Sequence, residues 1–279
     1  MKVGISTWLW TPRFTNDDVD LIHKVADIGF DWIEFPLEEI NQFDYEKIGA
    51  ACRRRGLSVS LTAVLRLDRD LTVDDPARNH AALTYLQHCV DAVTALGGNR
   101  VGGGIYGGVG RIWRATPEQR RRALERVAHH LRAVGRYAAE KGVVFGVETL
   151  IRFRSSFINT VAEALELVAL VDSPAIQVMA DTFHMNVEEK DVARAIEQIG
   201  AHLVHVHANE NDRTTPGSGH MDWHGIRAAL RKIGYNGALV IESFGEELKT
   251  RAGQSPEAQR EAIAREGCRF LREFFLADA

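Results

Sequence analysis

The chain has 279 residues, is 45% hydrophobic and carries a formal charge of -4 at pH 7. That composition supports a globular core and lacks the basic excess usual in nucleic-acid binders, which favours a small-molecule partner. No apolar run approaches the roughly 18 residues of a membrane span.

Cys52, Cys89 and Cys268 have no metal-type spacing, and such usage suits a reducing compartment. The opening MKVGISTWLW runs into a strand pattern without a signal-type leader, so the expected location is the cytoplasm.

In chain order, Lys2 to Trp8 reads as the first strand. Asn16 to Ile28 has helical spacing stopped by Gly29; Trp32 to Phe35 is strand two; Tyr45 to Arg55 is helix two. Leu57 to Val64 is strand three, and Asp75-Pro76 opens helix three as an N-cap with proline at the first helical position. Arg100 to Gly103 is strand four, followed by GGGIYGGVGRIW and a capping box at Thr116 to Gln119 that opens helix four.

Val143 to Glu148 is strand five, and Thr160 to Glu163 is a second capping box. Ile176 to Asp181 is strand six, with Val192 to Ile199 in the next helix. Leu203 to His207 is strand seven, Trp223 to Ile233 its helix, and Ala238 to Glu242 strand eight. Ser255-Pro256 caps a last helix running to about Phe275. Eight strand-helix units without a linker predict one (β/α)8 barrel domain over 1–279, in preference to a doubly wound open sheet.

Four of these units close on a metal-type ligand: Glu148, Asp181, His207 and Glu242, spaced by 33, 26 and 35 residues. Such a barrel carries its active site on the rim where its strands end. One acid at a strand end can simply cap the next helix; four in successive units point to a common centre. Three carboxylates and an imidazole suit Mn2+, Mg2+ or Co2+ better than structural zinc.

His205, two residues before His207, shares its face and is expected buried and hydrogen-bonded one layer below. His202 is expected to be structural. His184 and Arg213 follow strands six and seven and are candidate substrate contacts, as is Trp113; Trp8 and Trp10 also fall in rim loops. Gly102, Gly104 and Gly107 match G-x-G-x-x-G, but after strand four and far ahead of the next helix, so they read as close-approach glycines.

VETLIRF, ADTFHMN, HVHANENDR with PGSG and Trp223, VIESF, and the segment DLTVDDPARNHAALTYLQHCVDAVTALG resemble the D-tagatose 3-epimerase / D-psicose (D-allulose) 3-epimerase family, within the xylose isomerase-like barrels. The resemblance covers nearly the whole chain. It implies metal ligation by Glu148, Asp181, His207 and Glu242, with Glu148 and Glu242 doubling as the acid/base pair. It implies substrate contacts from His184 and Arg213, Mn2+ (Co2+ or Mg2+ in some members), and a homodimer or homotetramer.

The family pattern E-x-x-N-R-[FY]-E is here Glu148-Thr-Leu-Ile151-Arg152-Phe153-Arg154, so its second glutamate becomes Arg154 and its asparagine Ile151. Ser6 stands where an aromatic is common. The expectation is a ketose 3-epimerase working through an enediolate, with Arg154, aided by Arg66, receiving a phosphate or carboxylate. Otherwise Arg154 turns outward or pairs with Glu34 or Glu210. Alternative functions are a sugar or keto-acid isomerase using the same ligands, a metal nuclease resembling endonuclease IV, and a non-catalytic sugar-binding barrel.

Overall fold

The computed structural model describes residues 1–245, 248 and 255–276. Eight parallel strands close into a barrel in sequence order. They are β1 (Lys2–Ser6), β2 (Trp32–Leu37), β3 (Ser58–Ala63), β4 (Arg100–Gly103), β5 (Val144–Glu148), β6 (Ile176–Asp181), β7 (Leu203–His207) and β8 (Ala238–Ile241). The helices are α1 (Asp20–Ile28), α2 (Tyr45–Arg54), α3 (Pro76–Leu96), α4 (Pro117–Glu140), α5 (Val161–Val171), α6 (Thr182–Glu188), α7 (Val192–Ile199), α8 (Trp223–Lys232) and α9 (Pro256–Leu276).

The expected units are all present, with differences at their ends. The first strand stops at Ser6 because Thr7–Leu9 turns into a short 3-10 helix capped by the Ser6 hydroxyl. Residues 16–18 likewise form a 3-10 turn ahead of α1. Helix α6 was not expected. It starts directly at the end of β6, and the Asp181 side chain accepts from the N–H groups of Phe183 and His184 to cap it. The capping boxes at Thr116 and Thr160 form as their sequences predict.

Strand alternation sorts side chains between two cores. Val3, Ile5, Ile33, Phe35, Leu61, Phe145 and Val147 are fully buried outside the barrel wall, where the helices cover them. The inward positions hold the polar groups. In the middle layer, Glu34, Ser60 and His205 meet inside the barrel. Gly102 belongs to the same layer: a Cβ there would lie 2.4 Å from Met179 Sδ, so only glycine leaves room for that side chain. Gly103 has φ +123° and presses on the Ala63 carbonyl, a backbone state that requires glycine.

One step further along each strand lies the rim layer, with Ser6, Thr62, Glu148, Asp181 and His207; Glu242 stands one residue beyond β8. Cys52, Cys89 and Cys268 are free and buried. No described helix is long and apolar enough to cross a membrane.

Candidate metal centre and active site

β5, β6, β7 and the end of β8 bring Glu148, Asp181, His207 and Glu242 to one point, with one ligand atom of each within 4.8 Å of the others and all four residues buried. His207 Nδ1 lies 3.7 Å from Glu148 Oε1, 3.7 Å from Asp181 Oδ2 and 3.4 Å from Glu242 Oε1. Donor atoms about 2.1 Å from a shared ion stand about 3 to 3.5 Å apart, close to these separations.

Two buried atoms at this point, His207 Nδ1 and Glu148 Oε1, have no hydrogen-bond partner. Orphaned donors and acceptors in an interior are rare. An imidazole nitrogen and a carboxylate oxygen left open toward one point, beside two further acids, fit a hard divalent cation.

A residue that the sequence reading did not place here governs His207. Glu34, fully buried on β2, receives His207 Nε2 at 2.6 Å, His205 Nε2 at 2.7 Å and the Ser60 hydroxyl at 2.7 Å. A carboxylate accepts only, so both rings donate from Nε2 and His207 keeps Nδ1 for the cation. Ser60 is fixed in turn by Trp32 Nε1 at 2.8 Å. Burial raises the Glu34 carboxyl, but His207 and His205 outweigh it and hold it well below its usual range. His205 thus occupies the buried, hydrogen-bonded place expected one layer below. The sequence signal for Glu34 was an acid inside an apolar strand, in phase with Ser60 and His205. His202, at the far end of the strand, bonds Gln177 at 2.8 Å.

Asp181 divides its two oxygens. Oδ1 caps α6, while Oδ2 faces the cluster and accepts from Asn209 Nδ2 at 3.0 Å and Arg213 Nη2 at 3.1 Å. Burial pushes its carboxyl up, but Arg213 and His184 overcome that and hold it far down. Asn209 also receives the Glu242 backbone N–H at 2.8 Å, tying the ends of β7 and β8 together.

Arg213 donates to the Glu242 carboxylate and lies between the rings of Phe183 and Phe244, 4.4 and 4.8 Å from their centroids. Its backbone is left-handed, φ +56°, a strained state for an arginine. It is held by the Glu210 carbonyl, which accepts from Arg213 N–H at 3.0 Å, and by the Ser243 hydroxyl, which donates to the Arg213 carbonyl at 2.5 Å. The Glu210 side chain fixes the same loop through N–H groups of Asn211, Gly217, Met221 and Trp223.

His184 approaches Arg213 Nη2 at 3.0 Å and Glu148 Oε1 at 4.0 Å. Burial drives its imidazole down to about 4, so it is neutral near pH 7. Burial also raises Glu148, to about 7, with further upward pushes from Glu242 and Asp181. For Glu242 burial is upward too, but His207 and Arg213 prevail and lower it.

Above the cluster opens a cavity of about 240 Å3. Glu148, Glu242, His184 and Arg213 form its polar end, and Trp8, Phe183 and Phe244 are among its apolar walls. Arg154 also lines it. Glu34 and Glu210, the partners considered for Arg154 from sequence, are both filled by other donors.

Trp113, expected as a substrate contact, is not among the lining residues. The Ser156 hydroxyl clamps its backbone, and its ring stacks under Arg111 at 4.9 Å. Trp10 packs on the core beneath Lys24. Of the rim tryptophans considered, Trp8 is the one that reaches the cavity.

The model of the xylose isomerase-like TIM barrel family matches residues 22–274. A probable ketose 3-epimerase of Synechocystis sp. is 30% identical over 99% of this chain and 97% of its own length. A D-psicose 3-epimerase of Ruminiclostridium cellulolyticum is 32% identical over 88% and 84%, respectively. Among solved structures, a D-psicose 3-epimerase crystallised in the presence of D-fructose superposes with a TM-score of 0.88, covering 99% of both chains at 27% identity. Close agreement in fold, over nearly full length, accompanies identity at the level of a shared family. This chain belongs to the ketose 3-epimerases, a family of isomerases within the xylose isomerase-like TIM barrels.

Proposed function

We propose that this protein is a divalent-cation-dependent ketose 3-epimerase, carried by a single barrel domain over 1–279, which inverts C3 through an enediolate. The observation that carries the reading is the convergence of Glu148 and Glu242, from strands on different sides of His207, on the floor of one cavity. Epimerisation needs a base on one face of the carbon and an acid on the other, and two buried carboxylates meet that need.

Glu148, Asp181, His207 and Glu242 would hold the ion, Mn2+ first and Co2+ or Mg2+ next. When bound it supplies Lewis acidity for the charge that develops next to the carbonyl. Glu148 and Glu242 are the catalytic pair: one takes the C3 proton and the other returns a proton from the opposite face. Each transfer contributes about 10²–10⁴-fold. His184 and Arg213 orient the C1–C3 oxygens, and the aromatic walls keep water from the reacting carbon. Because Arg154 lines the cavity, the reading extends to ketoses bearing a phosphate or carboxylate. The expected assembly is a homodimer or homotetramer, testable by sedimentation.

The test is NMR in D2O with Mn2+-loaded protein and tagatose, fructose, ribulose and their phosphates. Deuterium at C3 with appearance of the C3 epimer supports the reading. Exchange at C1 with an aldose product would replace it by an aldose-ketose isomerase using the same four ligands. Preference for the free sugar in both wild type and Arg154→Glu would end the anionic-substrate part alone.

A further inference from the structure

The end of the barrel opposite the acidic cluster, where the strands begin, holds charges that the epimerase reading does not use. Inward positions recur at every second residue of a strand. Lys2 shares the inward face of β1 with Gly4 and Ser6, and Arg100 shares that of β4 with Gly102, which faces Met179 and His205. Lys2 and Arg100 therefore stand one layer below Glu34 and His205. None of the eight strands begins with an acid. Lys2 Nζ donates to the Ser58 hydroxyl at 2.7 Å and lies 5.8 Å from the centre of the Trp32 ring. Arg100 Nη1 donates to the carbonyl of its neighbour Asn99 at 3.2 Å. Among the described residues neither cation is in an ion pair.

Arg100 lines a second cavity, of about 330 Å3, with Ala201, Leu203, Tyr235, Asn236 and Gly237 among its other walls. Burial raises the Tyr235 phenol, and the Arg100 charge is the largest influence against it, so the guanidinium lies on the Tyr235 side of this cavity. The Tyr235 hydroxyl is spent on the Ala238 carbonyl at 2.8 Å. A guanidinium has five N–H donors, and most of those of Arg100 remain unused. The backbone N–H groups of Asn236 and Gly237 also lack an acceptor among the described residues. Two like charges without a counter-charge weaken the end of a barrel that ordinarily serves stability. A cationic cavity without an acid takes its counter-charge from outside. The volume equals about eleven waters at roughly 30 Å3 each, room for a phosphate group and several further atoms.

We propose that this N-terminal mouth of the barrel is a binding site for a phosphate group, free or carried on a small polar molecule, with Arg100 as its principal contact. The planar guanidinium fork matches two phosphate oxygens at once. The site lies at the other end of the barrel from the metal cluster and does not depend on the epimerase reading.

The experiment is a phosphorus NMR titration of the full chain with inorganic phosphate and with glycerol 3-phosphate. Saturable binding is expected, with a Kd on the order of 1 mM. Arg100→Gln should raise that Kd about ten-fold or more, the loss of a charge-assisted pair. Ala201→Glu, which sets a carboxylate on the same wall from an exposed position, should do the same. Arg154→Glu, in the rim cavity, should leave the Kd within two-fold of wild type. Tighter binding of glycerol 3-phosphate would assign the site to an ester, and equal binding to the free anion.

An unchanged Kd in Arg100→Gln, or no saturable binding to wild type, would overturn the assignment. So would loss of binding in Arg154→Glu, which would put the anion at the rim. If Arg100→Gln does not fold, Ala201→Glu decides alone, and an unchanged Kd there overturns the assignment equally.

Discussion

Glu34→Gln is the most informative single substitution, because Glu34 is not among the residues that line the cavity yet its carboxylate holds His207, the imidazole of the cluster beneath it. The change keeps side-chain length and removes one acceptor oxygen. The wild-type carboxylate receives three donors, from His207, His205 and Ser60, at 2.6 to 2.7 Å. An amide must turn its NH2 toward at least one of them, setting donor against donor.

If the NH2 faces His207, the ring is driven to carry its proton on Nδ1, the atom facing Glu148, Asp181 and Glu242. If it faces His205 and Ser60, two buried donors lose their acceptor, at about 1–3 kcal/mol each. Loss of such an outer partner of a metal-binding histidine lowers metal affinity about 10–100-fold, or about 1.4–2.7 kcal/mol. Mn2+ titration followed by the EPR signal of the free ion measures this directly. The kcat at saturating Mn2+ should fall much less than the affinity. A folded Glu34→Gln protein that binds Mn2+ within two-fold of wild type would refute the argument that Glu34 orients His207.

The other predictions concern the ligands themselves. Glu148→Gln and Glu242→Gln should each reduce deuterium exchange at C3 by about 10²-fold or more at saturating Mn2+; full turnover in either variant would remove that residue from the proton-transfer pair. Arg213→Lys should lower kcat/KM about 10–100-fold, since a single ammonium cannot hold Asp181 and Glu242 together or fill the space between Phe183 and Phe244. A variant within two-fold of wild type would reduce Arg213 to a surface cation.

For pH, Glu148 is raised to about 7 by burial, and His207, despite burial, is raised well above its usual 6.5 by Glu242 and Glu34. Both folded values exceed the unfolded ones. Protonation therefore stabilises the metal-free fold at low pH, and that stabilisation is lost as pH rises through the folded values. A cation competes with those protons, so the Tm gained on adding Mn2+ to EDTA-treated protein should widen from pH 5 to pH 8. A gap that narrows over that range would contradict it.

What could be read from sequence, and what could not, divides along one physical line. Strand and helix periods, proline at α3, the capping boxes of α4 and α5, and acids at strand ends are local signals. They place Glu148, Asp181, His207 and Glu242 at the ends of four successive strands. Glu34 is legible only through partners on β3 and β7, the latter 171 and 173 residues away. Within WIEFPL the local signal is an acid inside an apolar strand, which by itself does not say what that acid binds. Helix α6 is hidden for a related reason: one oxygen of Asp181 caps it while the other faces the acidic cluster, and a single acid at a strand end does not announce both roles. Trp113 is the converse case: its rim loop is legible in the sequence, but its bonds to Ser156 and its contact with Arg111 are not, and it is not among the residues that line the cavity.

The same line explains why the rim is asymmetric. Acids and imidazole at the ends of β5 to β8 repel or hydrogen-bond one another and need mutual compensation, which Asn209 and Arg213 provide from the loop after β7 and Glu34 from β2. That compensation lies in the half of the ring that holds the proposed acid/base pair, Glu148 and Glu242. β1 to β4 bear no such constraint at the rim, and their small side chains leave the space over which a substrate extends. Under the proposed function, reaction chemistry and substrate choice would be separable in this barrel: changes on the β1 to β4 side of the cavity should alter which sugar fits while leaving Glu148 and Glu242 and their partners in place.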